Sequence, residues 1–456
     1  MKILMVYPAF ESWYLNIYKK LMNINNENVG THHGIGYIIK YAKEKGETVD
    51  FIDLRLISKN EFKEIVKSYD LVGYSIISMN YKNAIKYIRI NKKINKDVTI
   101  VVGGVDPNAD TKKYEENPLI DHIILGEGEI SFLELIKSKK EGKKLEKIIV
   151  GKKIENLNSL GFIDRDSLPF DNPPSAIFKE PHFTILASRV CLYNCKFCQP
   201  VSREMFGKKI RSRSPDHVVK ELVFLKEKYG LGSYYFMDDN VLQDRQWTVE
   251  FISCLKKHGI NVNFSINGRA NNIVKNQDLI KELREVGLTT VFIGLESGSD
   301  KILKYLNKGT TVNLNKSALK ILNENNINVS SIFMFGFSAE KKEDYHLTEK
   351  FIKENDLDFY AIFSFVPFPG NYLNLEYKEK NLLFPGAENA DIVFHRPRVK
   401  GVNYYYIAFM DLKLCMRLQN NFFNKIMKII SFIFNIIIIS YFYIVYSIKR
   451  VWGFYS

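Results

Sequence analysis

Short apolar runs recur along the first third of the chain, at residues 2–7, 48–53, 70–75, 98–104 and 122–129, and stretches of helical spacing such as 36–46 separate them. Runs of strand length alternating with amphipathic helices predict an α/β domain, here a doubly wound parallel sheet of the Rossmann-like kind over residues 1–145. Residues 146–180 read as a linker, because Pro, Gly and Asp punctuate them without sustained periodicity. The alternation then resumes, with strand-like runs at 183–188, 233–237, 262–266, 289–294, 329–335 and 359–366 and helical patterns such as 216–230 between them. Six β-α units over residues 181–380 predict an open six-unit (β/α) barrel, smaller than the full eight. An extension follows at 381–420, then a hydrophobic helix at 421–456.

That last segment changes the meaning of the charge. The chain of 456 residues has a formal net charge of +14, which by itself points toward nucleic acid. Yet Arg396, Arg398, Lys400, Lys413, Arg417, Lys425, Lys428, Lys449 and Arg450 face a single acid, Asp411, in the C-terminal tail. The basic excess therefore sits where the chain is also apolar and aromatic. From Ile429 to Ile448 no residue is charged, and as a helix this stretch extends about 30 Å, enough to cross a bilayer. Tyr441, Tyr443, Tyr446, Trp452 and Tyr455 resemble an interfacial aromatic belt, while Ser431, Asn435, Ser440 and Ser447 weaken a span. Cations on both flanks suit a helix in the cytoplasmic leaflet as well as one that crosses. A membrane surface is the expected partner, a packed helix is the alternative, and nucleic acid is not expected. MKILMVYP at the start has no cleavage site and reads as a first strand rather than a signal peptide. The expected location is the cytoplasm, at the inner face of the membrane.

In an open parallel sheet, ligands sit at the carboxyl ends of the strands. That places Tyr7, Pro8, Ser75, Gly103, Gly104, Gly126 and Glu127 around one crevice, with glycines that let backbone approach a large flat or phosphorylated ligand. A tight strand-to-helix turn explains Gly103 and Gly104 equally well. No G-x-G-x-x-G opens a helix after the first strand, which argues against a nicotinamide or flavin site.

Cys191, Cys195 and Cys198 fall just after the first barrel strand, with C-x3-C-x2-C spacing. Five cysteines in so long a chain do not make a disulfide framework and fit a reducing compartment. Fe-S cubanes normally take four thiolates; three in one loop leave an iron open to chelate the amine and carboxylate of S-adenosylmethionine (SAM). A structural zinc would need a fourth ligand, for which His182 is the close candidate. Cys254 lies on a helical stretch, where a lone cysteine is ordinarily core.

The triad, with aromatic Phe197 before its last cysteine, resembles the radical SAM superfamily. The resemblance implies a 4Fe-4S cluster on Cys191, Cys195 and Cys198, adenine near Phe197, the methionine amine at Asp238, Asp239 and Asn240, and the ribose or carboxylate near Ser265, Asn267 and Arg269. Gly294-Leu295-Glu296-Ser297-Gly298 is similar to a string of cobalamin-dependent members, which adds Glu296 and Ser297. Lys308-Gly309-Thr310-Thr311 and Pro367-Phe368-Pro369-Gly370 extend the likeness, whereas Ser338 and Ala339 stand where relatives carry Pro-Gly before Glu340. Gly34-Ile35-Gly36-Tyr37, Gly103-Gly104 and Gly126-Glu127-Gly128-Glu129 resemble the cobalamin-binding domain that precedes many radical SAM enzymes. No Asp-x-His-x-x-G loop supplies a histidine to cobalt; Thr31-His32-His33-Gly34 is the nearest string, so a corrinoid without histidine ligation is expected.

Methylthiotransferases bring three further N-terminal cysteines, and residues 1–190 hold none; Cys254 and Cys415 alone follow the triad, so a single cubane is expected. The resemblance implies cobalamin-dependent C-methylation of an unactivated carbon. A cyclase, oxidase or rearrangement enzyme is the runner-up, and a non-catalytic, membrane-tethered corrinoid- or metal-binding protein is the reading of another class. A low-potential electron donor such as flavodoxin or ferredoxin is implied, and a membrane-proximal enzyme suits a lipid-like or cell-envelope substrate.

Overall fold

The structure, a computed structural model, describes residues 1–9, 31–168, 181–198, 201–387, 396–418 and 422–451. Residues 169–180 of the expected linker, Trp452 and Tyr455, and the side chains of Cys415, Lys449 and Arg450 lie outside that description. The chain divides into two compact units, residues 1–192 with 199–267, and residues 193–198 with 268–456.

The first unit opens with β1 (Ile3–Tyr7), α1 (His33–Glu44), β2 (Asp50–Asp53), β3 (Leu71–Ser75), α2 (Tyr81–Ile94), β4 (Thr99–Gly103), β5 (His122–Leu125), α3 (Gly128–Lys140) and β6 (Ile148–Val150). These strands form one sheet in the order β2-β1-β3-β4-β5-β6, parallel throughout. Alternate residues of each run serve opposite cores. Ile3, Met5, Val101 and Ile124 pack with Ile35, Ile39, Phe132 and Leu135 of α1 and α3. Leu4, Val6, Val72 and Ile100 pack with Ala84 and Ile88 of α2. Burial on both faces is why the strands read as continuous apolar runs.

The segment read as a linker departs from expectation. β6 lies inside it and pairs with β5, and Ile154, Leu157, Leu160, Ile163 and Leu168 are buried in the α1–α3 core. A strand of three residues among polar and turn residues leaves too short a period to register as an element.

The same unit continues with β7 (Phe183–Ile185), β8 (Ser188–Arg189), β9 (Arg211–Ser212), α4 (Pro215–Tyr229), β10 (Ser233–Phe236), α5 (Arg245–His258) and β11 (Asn263–Gly268). β10 pairs in parallel with β7 and β11. β8 and β9 form an antiparallel pair that the sequence pattern did not announce. The helices start and stop where local chemistry dictates. Ser214 caps α4 with Pro215 in its first turn, Asp244 caps α5, and both end on left-handed glycines, Gly230 and Gly259.

The second unit holds β12 (Leu288–Glu296), α6 (Val312–Glu324), β13 (Asn328–Phe335), α7 (Lys342–Glu354), β14 (Phe359–Ser364), α8 (Tyr404–Leu418) and α9 (Phe422–Val451). β12, β13 and β14 are parallel neighbours. All six predicted barrel strands thus form, three in each unit. Ser338-Ala339 does not spoil the turn after β13, since Gly336 takes φ 100° and Glu340 accepts hydrogen bonds from the Gly336 and Phe337 amides.

Candidate cofactor sites

At the carboxyl ends of β3, β4 and β5 the first unit encloses a cavity of about 190 Å³ whose wall includes Ser75, Gly103, Gly104, Gly126 and Glu127. Gly104 has φ 104°, and a Cβ there would stand 2.7 Å from the Ile76 carbonyl oxygen, so the turn itself requires glycine. An added Cβ would meet the Ile124 carbonyl oxygen at 3.5 Å on Gly103 and the Gly151 carbonyl oxygen at 3.6 Å on Gly126, ordinary contact in both cases, and Gly126 holds φ 81°, so the backbone asks for glycine at Gly126 but not at Gly103. Tyr7 and Pro8 are not brought to this wall. Tyr7 stacks on His32 at 3.7 Å with Arg55 over its ring, and the Pro8 carbonyl accepts from Asn80. His32 pairs with Asp53 at 3.0 Å, and the His33 ring bonds the Thr184 hydroxyl at 2.9 Å. Burial lowers the pKa of His33 well below the usual imidazole range, with Arg165 and Arg213 adding to the effect. His32 Nε2 and His33 Nε2 are thus held by protein partners, while the buried His33 Nδ1 has no hydrogen-bond partner among the described residues.

Glu127 is in the wall but already engaged. Its carboxylate takes the Ile154 amide at 2.8 Å, Arg189 at 3.0 Å, and Arg211. Arg189 also binds Glu129. Burial works against the charge of Arg189, but Glu129 and Glu127 outweigh it and raise its pKa. Two buried arginines against two buried glutamates balance in charge, which lets them persist away from water. Arg189, with Tyr37, Met205 and Phe206, also lines the cavity. Sequence reasoning missed these residues because their partners lie tens of positions away.

In the same unit Asp238 is buried at the end of β10, accepting from the Ala187 amide at 2.9 Å and the Ser188 hydroxyl at 2.5 Å. Burial, the largest influence, lifts its pKa to about 6; desolvation by its surroundings also raises Asp239, although that residue reaches the surface. Asn267 donates to the Asp238 carbonyl and accepts from Tyr235; Asn240 and Ser265 are buried. The acid patch therefore braces the strand end that leads into the cysteine loop. Gln243, unnoticed in the sequence, grips that loop. It donates to the Val190 carbonyl at 2.8 Å and accepts from the Leu192 amide at 3.3 Å, on either side of Cys191. Val190 sits at φ 88°, a costly conformation for a β-branched residue.

The second unit holds the rest of the loop. Cys195 is buried and Cys198 exposed, while Cys191 of the first unit is half-buried. Arg269 donates to the Cys195 sulfur at 3.2 Å and to the Lys308 carbonyl, and lies 3.6 Å from the Tyr193 ring centroid. Its two terminal nitrogens are thus turned onto the loop, while its buried Nε has no hydrogen-bond partner among the described residues. The Lys308 ammonium donates to Glu296 Oε1 at 2.7 Å and sits over the Phe197 ring. Glu296 has φ 63° and is 4% exposed, and its Oε2 has no hydrogen-bond partner among the described residues. A buried, unmatched carboxylate oxygen is an acceptor waiting for a donor. Ser297 contacts the Thr348 hydroxyl and accepts from the Ser299 amide, so its hydroxyl serves the loop. Cys254 is half-buried on α5 rather than in the core, and His182 is buried beside Tyr235.

Three thiols within eight residues, none of them in a disulfide, fit a cubane in donor chemistry, with a guanidinium aimed at one sulfur. Among the described residues no group of three or more His, Cys, Asp or Glu side chains is gathered closely enough to hold a metal ion, so the fit rests on donor type and spacing. The strand-end cavity with its glycines and the unmatched Glu296 oxygen likewise fit a corrinoid and SAM.

A Rossmann-type domain with a strand-end cavity, ahead of β-α units that carry three loop thiols, defines a class of cofactor-dependent α/β enzyme. Residues 19–136 match the B12 binding domain and residues 185–352 the radical SAM superfamily. A Methanocaldococcus jannaschii protein, provisionally named as a methylthiotransferase, is 30% identical over 372 residues, covering 77% of this chain and 78% of its own. An uncharacterized methyltransferase of Pyrococcus horikoshii is 28% identical over 82% of each chain. The anaerobic magnesium-protoporphyrin IX monomethyl ester cyclase of Rubrivivax gelatinosus is 26% identical, over 77% of this chain and 67% of that one. In fold the chain resembles OxsB with aqua-cobalamin and SAM bound, at TM-score 0.67 and 19% identity, over 91% of this chain and 66% of OxsB. It also resembles the radical SAM methyltransferase TsrM of Kitasatospora setae, at TM-score 0.63 and 16% identity, over 83% and 76%. The chain belongs to the radical SAM superfamily, among members that carry a B12-binding domain. Its cofactors are a 4Fe-4S cluster, SAM and cobalamin.

Proposed function

We propose that this enzyme methylates an unactivated carbon. The observation that carries the proposal is a B12-binding domain with an open, glycine-walled cavity in the same chain as the three-thiol loop. When bound, the cluster and SAM supply a hydrogen-abstracting 5'-deoxyadenosyl radical, and cobalamin supplies the methyl group.

Cys191, Cys195 and Cys198 hold the cluster, and Arg269 donates to the Cys195 sulfur, one of the levers on cluster potential. Glu296 Oε2 accepts from the SAM ammonium or a ribose hydroxyl while Lys308 fixes its partner oxygen. The backbone near Phe197 meets adenine. Asp238, Asp239 and Asn240, with Ser265 and Asn267, would serve SAM in the roles that the family resemblance implies. The cavity wall that includes Gly103 and Gly126 would hold the corrinoid. A flavodoxin or ferredoxin supplies electrons. The C-terminal helix keeps the enzyme at the inner membrane face, close to a lipid-like or cell-envelope substrate.

Likeness to an anaerobic cyclase favours a second reading, in which the substrate radical closes a ring. Anaerobic reconstitution with iron, sulfide and hydroxocobalamin, followed by desalting and ultraviolet-visible spectroscopy, tests the proposal. Stoichiometric retained corrinoid, with S-adenosylhomocysteine formed beside 5'-deoxyadenosine, is the expected result. A cluster that makes 5'-deoxyadenosine without retained corrinoid would sink methyl transfer.

A further inference from the structure

The C-terminal helix is built inside out for a soluble protein. On α9, Ser431, Asn435 and Ile439 are 6%, 3% and 0% exposed, while Ile433, Ile437 and Ile444 are 51%, 57% and 59% exposed. Ile429 and Tyr441 lie on the same open face. At 100° per residue the two sets point about 180° apart. Two polar residues are thus sealed against protein while a continuous isoleucine stripe meets solvent, the reverse of a helix that closes a water-soluble core.

The packed face is anchored firmly. On that face Phe384 meets Phe442 and Tyr446 edge-on, and at the margin of the open stripe Tyr405 of α8 bonds Ser440 at 3.1 Å and stacks on Tyr443. α8 in turn is tied down by Lys413 to Glu349 at 2.8 Å and by the Tyr360 hydroxyl donating to the Leu414 carbonyl at 2.6 Å. Carrying Asp411, Lys413 and Arg417, α8 cannot follow its neighbour into hydrocarbon. For α9 to cross a bilayer it would have to leave α8 and expose Ser431 and Asn435 to lipid.

We infer that α9 lies in the plane of an anionic bilayer surface, its Ile429–Ile433–Ile437–Tyr441–Ile444 stripe sunk among acyl chains while the opposite face stays on the enzyme. Lys425 and Lys428 precede the stripe, Lys449 and Arg450 follow it, and no acid follows Asp411, so the charge at both ends complements anionic headgroups. This rests on the membrane reading above and fixes its mode. An enzyme seated this way receives substrate laterally from one leaflet.

The test is cell-free synthesis of the full chain, with a C-terminal tag, in the presence of phosphatidylcholine vesicles with or without phosphatidylglycerol. The protein is expected to float with the anionic vesicles, about five-fold more tightly for each flanking cation at low salt. The triple variant I433D/I437D/I444D, with unchanged far-ultraviolet circular dichroism, is expected to bind at least about a hundred-fold more weakly. Protease added outside is expected to remove the tag. A protected tag would mean that α9 crosses, overturning the in-plane mode but not membrane association. Equal flotation of wild type and variant would overturn the role of the stripe. No flotation, together with a wild-type dimer that the variant makes monomeric, would assign this face to a second copy and overturn both.

Discussion

Replacing Gln243 by Leu tests whether the cysteine loop is held by the fold or only by its cluster. Gln243 makes two hydrogen bonds to the loop, at 2.8 Å to Val190 and 3.3 Å to Leu192. Val190 is 4% exposed and Leu192 49%, so the Val190 carbonyl loses its partner without ready access to water while the Leu192 amide can be solvated. The first loss costs about 1–3 kcal/mol and the second about 1 kcal/mol or less. Val190 at φ 88° holds about a further 1–3 kcal/mol that relaxes once the grip is gone. Because relaxation recovers part of the loss, global stability falls by no more than about 2 kcal/mol. The same 2 kcal/mol, applied to opening at Cys191, speeds cluster loss roughly thirty-fold. The assay is the rate of iron release to a ferrous chelator under anaerobic conditions, with urea unfolding of the same preparation. Gln243→Glu keeps the acceptor for Leu192 but sets an oxygen against the Val190 carbonyl, and is expected to release iron as fast as the Leu variant. Release within two-fold of wild type in both variants would refute the reasoning.

Lys308→Met leaves the buried Glu296 carboxylate without its cation; a loss of about 3–5 kcal/mol in stability is expected, with SAM binding in equilibrium dialysis at least ten-fold weaker, and an unchanged melting temperature and SAM affinity would contradict it. Burial lifts Glu340 to about 8 despite the Phe337 and Gly336 amides that it accepts. A carboxyl raised on folding contributes stability below its unfolded pKa and loses it as pH rises, so roughly 3–5 kcal/mol should disappear between about pH 4.5 and 8. Urea midpoints that decline across that range in wild type but stay flat in Glu340→Gln are the expected pair. Gly104→Ala forces a Cβ to 2.7 Å from a backbone oxygen at φ 104°; destabilisation of about 1–3 kcal/mol and poorer corrinoid retention after desalting are expected, and wild-type retention would clear the turn of any role.

Much of this was legible in the chain. The sheet strands were, because burial on both faces leaves runs with little polar interruption; so was the triad, because thiolate chemistry demands its spacing within one loop. Strand-end geometry brought Gly103, Gly126 and Ser75 to one crevice, and the cavity wall includes all three. The contacts of Arg269 were not legible, since a guanidinium at a strand end has several partners in reach and only packing shows that it turns onto Cys195 and Lys308. Tyr7 likewise sits at a strand end, yet His32 and Arg55 claim its ring.

By itself, then, the sequence determined the α/β alternation, the thiol loop and an apolar, cation-flanked terminal helix, all of them properties of neighbours along the chain. Tertiary structure alone decided that β6 and residues 154–168 complete the first core, that Glu127 and Glu129 neutralise Arg189 and Arg211, that Gln243 grips Cys191, and that α9 buries its polar face and offers its isoleucines outward. Each of these joins positions far apart in the chain, and hydrophobic periodicity carries no information about which distant partner a side chain meets.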